Sequence, residues 1–169
     1  MSVVVLEKGS EVGAHILSGA VMDPKAMTEL IPDWKEKGCP FETEVTKDTF
    51  LVLGAEGSIA LPVFLMPPML HNHGMYIGSL GNVTRWMATQ AEALGVEIYP
   101  GFAASDLTYR EDGSVKGVIA GVMGVEKNGE QGPNYSPGME LNGKYVLIGE
   151  GVRGSLAKKL IKDLSLIHI

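Results

Sequence analysis

The chain has 169 residues, of which 45 % are hydrophobic and 20 % charged, proportions typical of a folded globular protein. Its formal net charge is −6, and no cluster of Lys and Arg stands out, so nucleic acid is excluded as an expected partner. The single cysteine, Cys39, excludes an internal disulfide and offers too few ligands for an iron–sulfur cluster or a structural zinc. We therefore expect one domain or part of one in a reducing compartment, without a signal peptide.

The first half of the chain predicts short elements. Val3 to Leu6 is a continuous apolar run, which is typical of a parallel strand covered on both faces. A loop rich in small residues follows over 9–19. Asp23 as N-cap and Pro24 at the first helical position predict a helix, and a second short helix is predicted around 33–37. Two β-rich stretches, at 49–53 and 58–61, flank a turn at 54–57.

The clearest predicted element is a helix from Gly81 to Leu94. Its apolar residues recur at helical spacing, Asn82 can cap its start, and Gly95 can end it in the left-handed conformation. The remaining predicted elements are a strand at 96–99, strands at 104–109 and 115–125 around a turn at 111–114, a polar loop at 127–138, a strand at 139–148 and a helix from about Arg153. The sequence therefore predicts an α/β fold.

The first candidate binding residue stands at the end of the first predicted strand. In a dinucleotide-binding βαβ unit, the second strand ends with a carboxylate that accepts hydrogen bonds from the adenosine ribose. Glu7, followed by Lys8, has this position in VVVLEKG. A strand that ends in a solvated Glu-Lys pair explains the same residues equally well, so this motif alone leaves both interpretations open.

Longer segments resemble the family of electron transfer flavoprotein-ubiquinone oxidoreductases. They are, in order, EKGSEVGAHILSGAVMDP at 7–24, PDWKEKG at 32–38, NHGMYIGSLGNVTRWMATQAEALGVEIYPGFAA at 72–104, DGSVKGV at 112–118 and GEGVRGSLAKKL at 149–160. The resemblance covers residues 2–163. It implies a fragment of a Rossmann-like FAD-binding domain with an inserted mixed β region. It also implies a respiratory-chain enzyme that passes electrons from reduced electron transfer flavoprotein, through a [4Fe–4S] cluster and FAD, to ubiquinone.

The resemblance further implies which residues bind FAD. Glu7 becomes the ribose ligand, the loop from His15 to Ala20 approaches the flavin ring, and the turn at 149–154 faces the cofactor. The implied cofactor-binding residues are Glu7, Lys8, His15, Leu17, Ser18, Gly19, Glu150, Gly151 and Arg153. A backbone-bonded loop histidine and a plain strand-to-helix turn remain the alternatives for His15 and for 149–154. No residue is assigned a catalytic role, because the cofactors carry the chemistry.

The longest uncharged apolar run is IALPVFLMPPML, residues 59–70. A spanning helix needs ~20 residues, and the prolines in this run would also break it. Burial in a core is the usual explanation of such a run. For the wider run of about residues 50–70, the resemblance implies instead that an apolar segment of this region dips into one leaflet, from which ubiquinone enters. The implied membrane-side residues are Leu61, Val63, Phe64, Leu65, Met66, Met69 and Leu70.

The resemblance places the protein at the inner face of the bacterial cytoplasmic membrane or at the mitochondrial inner membrane. The glycine fingerprint and the cluster cysteines of the whole enzyme are not among these residues, so we expect the chain alone to bind FAD weakly and to be inactive. Residues 164–169 depart from the family and are interpreted as a foreign tail. The alternatives are another FAD-dependent oxidoreductase, such as a monooxygenase or a geranylgeranyl-reductase-like protein, and a non-catalytic remnant.

Overall fold

The computed structural model describes residues 2–166. Of the tail predicted at 164–169, residues 167–169 therefore lie outside the described part. The described residues form β1 (Val3–Glu7), β2 (Gly19–Met22), α1 (Lys25–Leu30), β3 (Thr43–Glu44), β4 (Phe50–Leu53), β5 (Ser58–Leu61), β6 (Tyr76–Ser79), α2 (Leu80–Ala93), β7 (Val96–Pro100), β8 (Ala104–Tyr109), β9 (Val115–Val125), β10 (Gln131–Asn142) and α3 (Ser155–Asp163). Two 3₁₀ turns, Val63–Leu65 and Pro68–Leu70, lie between β5 and β6. The predicted α/β class is confirmed as a mixed α/β fold.

The chain divides into two compact units. The first unit consists of the residues up to Glu11 and those from Gly95 onward, and the second unit is Val12–Leu94. In the first unit, β1 pairs with β7 in parallel, with Val3 opposite Val96. The strands β8, β9 and β10 form an antiparallel sheet in the order β10-β9-β8.

Helix α3 packs on the three-stranded sheet of the first unit. The Lys159 ammonium donates to the Asp106 carboxylate, and the Tyr109 hydroxyl donates to Asp163 at 2.9 Å. The Lys159 partner holds the pKa of Asp106 below its usual value. These contacts attach the polar side of α3 to β8.

The prediction for β1 is confirmed in pairing but wrong in burial. The strand is parallel, as its apolar run indicates, yet Val3, Val4 and Val5 are 40 %, 47 % and 42 % exposed. Parallel strands usually have both faces covered. In the described residues, β1 has a single partner strand, so its valines are only partly covered.

The second unit has an aromatic core beneath a three-stranded sheet in the order β2-β6-β3. Trp34 is 4 % exposed, meets Tyr76 edge-on at 5.5 Å between ring centroids, and donates its indole N–H to the Thr28 hydroxyl at 3.1 Å. Cys39 lies in the same core, and burial raises the pKa of its thiol. Strands β4 and β5 form a separate antiparallel hairpin, as predicted.

Three predicted helix features need correction. Residues 33–37 are hydrogen-bonded turns rather than a helix, because Gly38 turns the chain at φ +72° after one turn. Pro24, not Asp23, is the N-cap of α1, although the Asp23 carboxylate accepts the Lys25 N–H at 2.9 Å. Helix α2 begins at Leu80 with Ser79 as its cap instead of Asn82. Its predicted end is confirmed, since Gly95 has φ +86°.

The polar loop predicted at 127–138 is mostly a strand. Strand β10 occupies Gln131–Asn142, while residues 143–148, predicted as part of a strand, have no strand structure. Prolines at 133 and 137 argued for a loop, but β10 is an edge strand, where a missing N–H on the outer side costs no ladder hydrogen bond. The pairing is also irregular between Gln131 and Ser136, the stretch that contains Pro133, whereas Pro137 lies in register opposite Val122.

Candidate functional site

The end of β1 is held in a defined conformation by three hydrogen bonds. The Glu7 Oε1 atom accepts the Gly9 N–H at 2.5 Å, the Glu7 carbonyl accepts the Phe102 N–H at 3.1 Å, and the Gly9 carbonyl accepts the Gly101 N–H at 2.7 Å. The second carboxylate oxygen of Glu7 takes no hydrogen bond from residues 2–166. A half-buried carboxylate with one available oxygen, at the carboxyl end of a parallel strand, fits a ribose hydroxyl.

The turn before α3 has a structural role of its own. The Glu150 Oε2 atom accepts the Ala157 N–H at 3.0 Å, in the first turn of α3, where a carboxylate also opposes the positive end of the helix dipole. Gly151 has φ +75°, and Arg153 is exposed. Glu150 is thus engaged in capping, and its contact with a cofactor stays a prediction.

The loop predicted to approach the flavin is attached to the start of α2 at both ends. A Cβ atom on Gly13, which has φ +81°, would lie 2.9 Å from the Gly81 carbonyl oxygen. At the other end, the Ser18 carbonyl accepts the Leu80 N–H at 3.0 Å. Between these attachments His15 is exposed and Leu17 is 88 % exposed. The close approach of two glycine backbones was not anticipated from the sequence, although both glycines are visible in it.

The predicted cofactor residues fall in both units. Glu7, Lys8, Glu150, Gly151 and Arg153 belong to the first unit, whereas His15, Leu17, Ser18 and Gly19 belong to the second. Glycines that allow close approach, an exposed loop and a strand-end carboxylate are the features that flavin sites use. The residues of each unit therefore fit FAD, and their contacts with it stay predictions.

The predicted membrane segment is largely uncovered. Phe64, Leu65, Met69 and Leu70 are 79 %, 65 %, 80 % and 40 % exposed, while Leu61, Val63 and Met66 are half-buried. The β4–β5 hairpin, which belongs to the same predicted run of residues 50–70, is also apolar and exposed, with Leu53 and Ile59 at 76 % and 70 % exposed. We call residues 50–53 and 58–70 the apolar surface. Its exposure argues against a role as core in the described residues.

A cluster of hydrogen bonds lies next to the apolar surface and involves residues that flank it in sequence. Asp48 accepts the backbone N–H of Asn72 at 2.9 Å and the side-chain amide of Asn72 at 3.1 Å, and these bonds hold its pKa below the usual value. The His71 ring contacts the Val63 carbonyl at 2.9 Å. The cluster was not predicted, because its partners are 24 residues apart in sequence. Within residues 2–166, no group of three metal-ligating side chains is present.

No model of a known protein family matches the chain. Among solved structures, it resembles the crystal structure of Thermovibrio ammonificans THI4, with a TM-score of 0.55 and 16 % identity, over 95 % of this chain and 52 % of that chain. At this identity the likeness shows the fold alone. In residues 2–166, no helix combines the length and apolar character needed to cross a bilayer.

Curated proteins give a closer match. The mitochondrial electron transfer flavoprotein-ubiquinone oxidoreductase of Dictyostelium discoideum is 54 % identical over 98 % of this chain and 27 % of its own length. The enzyme of the same name from Pseudomonas aeruginosa is 55 % identical over 98 % of this chain and 30 % of its length. The human mitochondrial enzyme is 47 % identical over 97 % and 26 %. By sequence, the chain is therefore similar throughout its matched residues to electron transfer flavoprotein-ubiquinone oxidoreductases, and it spans less than a third of the length of these relatives.

Proposed function

We propose that this chain forms the FAD- and ubiquinone-side region of an oxidoreductase that passes electrons from reduced electron transfer flavoprotein to ubiquinone at a membrane surface. The observation that carries the proposal is the identity of 54–55 % to relatives of that name over 98 % of the chain. Such identity extends through both units rather than one motif. The mixed α/β fold, the strand-end carboxylate and the apolar surface support the same conclusion.

In each unit, taken by itself, the proposed FAD contacts are made by different residues. Glu7 accepts a hydrogen bond from the ribose of the adenosine half, using the oxygen that Gly9 does not occupy. The loop from His15 to Gly19 lies along the flavin ring, where backbone N–H groups and small residues allow close contact. Bound FAD supplies the redox chemistry, and the protein orients it and tunes its potential.

The described residues do not fit an iron–sulfur cluster. A cluster takes four ligands, usually cysteine thiolates, whereas Cys39 is the one cysteine of the chain and is buried in the aromatic core. No step of the proposed function is therefore assigned to a cluster held by these residues.

The apolar surface is proposed to contact the hydrocarbon of one leaflet. Residues 58–70 carry no charged side chain, and their most exposed members are Phe64, Leu65 and Met69. Insertion of such side chains without spanning is typical of proteins that lie on one face of a membrane. Ubiquinone, with its apolar tail, would enter from this side.

A chimera tests the proposed function. The chain replaces the matching segment of the Pseudomonas aeruginosa relative, to which it is 55 % identical. We expect the purified chimera to show a flavin absorption spectrum and to reduce a ubiquinone analogue when supplied with reduced electron transfer flavoprotein. The unmodified relative is the control. A chimera that folds but lacks flavin, or that accepts electrons from a nicotinamide cofactor instead, would contradict the proposal.

Replacing Glu7 tests the ribose contact in that chimera. Glu7→Gln keeps the shape of the side chain but replaces a charged acceptor with a neutral one, so FAD affinity should fall by ~1–2 kcal/mol, roughly 5- to 30-fold. FAD titration of the apo-protein by calorimetry measures the change. Glu111→Gln, in the exposed turn after β8, makes the same chemical change outside the site and should leave affinity unaltered. Equal affinities for the two variants would mean that Glu7 does not contact the ribose.

A further inference from the structure

The apolar segment of residues 62–70 lies between β5 and β6 and forms two 3₁₀ turns. Its turns are closed by local backbone bonds, such as Met66 N–H to the Val63 carbonyl at 2.9 Å and Leu70 N–H to the Pro67 carbonyl at 2.9 Å. Bonds of this kind shape a segment without attaching it to the rest of a domain. Just beyond its C-terminal end, the Gly74 N–H donates to the Val45 carbonyl at 3.0 Å and the Val45 N–H donates to the Met75 carbonyl at 2.7 Å. A side chain outside the segment adds an attachment closer to it.

Asp48 provides that attachment. One oxygen of its carboxylate accepts the Asn72 backbone N–H at 2.9 Å, and the other accepts the Asn72 side-chain amide at 3.1 Å. The hairpin of β4 and β5 and the two 3₁₀ turns all lie between these two residues in sequence. The pair therefore joins the two ends of the apolar surface, and a charged acceptor makes both bonds stronger than neutral ones.

His71, which directly follows the segment, makes a second hydrogen bond, this one to a residue of the segment. Its Nε2 atom lies 2.9 Å from the Val63 carbonyl oxygen. A carbonyl only accepts hydrogen bonds, so Nε2 carries the proton and donates it. This bond connects the last turn of the segment to the first across eight residues. Asp48, Asn72 and His71 together form what we call the clasp.

We propose that Asp48 is a positioning residue, and that the clasp holds the apolar segment in the conformation that presents Phe64, Leu65 and Met69 to a phospholipid bilayer. The inference rests on the proposed membrane contact and adds that the segment is ordered before it binds lipid. A segment that is already ordered loses less conformational freedom on binding than one that must order itself in the lipid, so its affinity is higher. None of the clasp residues needs to touch lipid for this effect.

Exchange of the two side chains of the pair tests the inference. Asp48→Asn leaves two amide groups facing each other, and Asn72→Asp places two carboxylates together. The double variant, Asp48→Asn with Asn72→Asp, restores one carboxylate and one amide at hydrogen-bonding distance, while the amide oxygen at position 48 can still accept the backbone N–H of residue 72. The matched control is Glu56→Gln at the tip of the β4–β5 hairpin, which also removes one carboxylate from this region.

Two measurements are made on the whole 169-residue chain. Flotation with phosphatidylcholine vesicles gives the partition coefficient, and the rate of chymotryptic cleavage at Phe64 and Leu65 without lipid reports order in the segment. We expect each single variant to lower partition by about fivefold and to accelerate cleavage, and the double variant to recover most of both. The thermal unfolding midpoint should change little, because the core lies elsewhere.

The outcomes separate the inference from the proposed function. If the unmodified chain binds vesicles and the single variants bind equally well, or the double variant recovers nothing, Asp48 does not act by positioning. If the unmodified chain does not bind vesicles, the proposed membrane contact fails and the role assigned to the clasp fails with it. Cleavage that is unaltered in every variant overturns the inference independently of lipid.

Discussion

Replacing Phe64 and Leu65 with Asp should release the protein from phosphatidylcholine vesicles. These side chains are 79 % and 65 % exposed and lie in an uncharged segment. Moving one such side chain from water into hydrocarbon contributes ~1.5–3 kcal/mol, so the pair accounts for roughly 3–6 kcal/mol. The partition coefficient of the protein between vesicles and water should therefore fall by at least about 100-fold. High salt should not weaken the binding of the unmodified chain, because no charge carries it.

The control for this experiment uses the same chemistry at other sites. Leu94 and Leu147 are 86 % and 95 % exposed but lie outside the apolar surface. Changing both to Asp should leave vesicle binding almost unaltered. Circular dichroism should show that both double variants keep the fold. Equal loss of binding in the two double variants would mean that general hydrophobicity, and not this surface, holds the chain on lipid.

Gly13→Ala should destabilise the second unit and disturb the loop that follows. An L-residue at φ +81° costs ~1–2 kcal/mol, and a Cβ atom 2.9 Å from the Gly81 carbonyl oxygen forces a backbone shift that costs roughly 1–3 kcal/mol more. The carbonyl belongs to the first turn of α2 and cannot rotate away. We expect the free energy of unfolding in urea to fall by about 2–5 kcal/mol. In the chimera, flavin content should fall as well.

Gly38→Ala separates strain from contact. Gly38 lies in the same unit at φ +72°, but an added Cβ atom there would meet nothing within 4 Å. Its substitution should lower the free energy of unfolding only by the backbone strain of a positive φ, ~1–2 kcal/mol. The flavin content of the chimera should be retained. If Gly13→Ala is no more destabilising than Gly38→Ala, the loop is not held against α2 as described.

Local sequence patterns predicted most of the elements. The parallel strand β1, the β4–β5 hairpin and α2 with its glycine end followed from apolar periodicity and from residues with strong turn preferences. The exposure of Phe64 and Met69 could not come from periodicity, because an uncharged run is as compatible with a core as with a surface. That expectation came from the family resemblance alone.

The features that sequence reasoning missed depend on distant partners. Asp48 and Asn72 are ordinary polar residues in sequence, and only the fold brings them within hydrogen-bonding distance. Strand β10 was misread because Gly and Pro break most strands, yet its edge position tolerates them. The capping of α3 by Glu150 was likewise hidden, since an acidic residue before a helix fits both a cap and a cofactor contact.

The pairing of β1 with β7 also has a consequence for biosynthesis. Val3 pairs with Val96, so the first strand leaves the ribosome about 90 residues before its partner is made. At a synthesis rate of ~5–20 residues per second, the apolar valines of β1 stay unpaired for roughly 5–20 seconds. The residues between the two strands form a unit of their own, which can fold in that interval. We expect the nascent first strand to be a binding site for chaperones until β7 emerges.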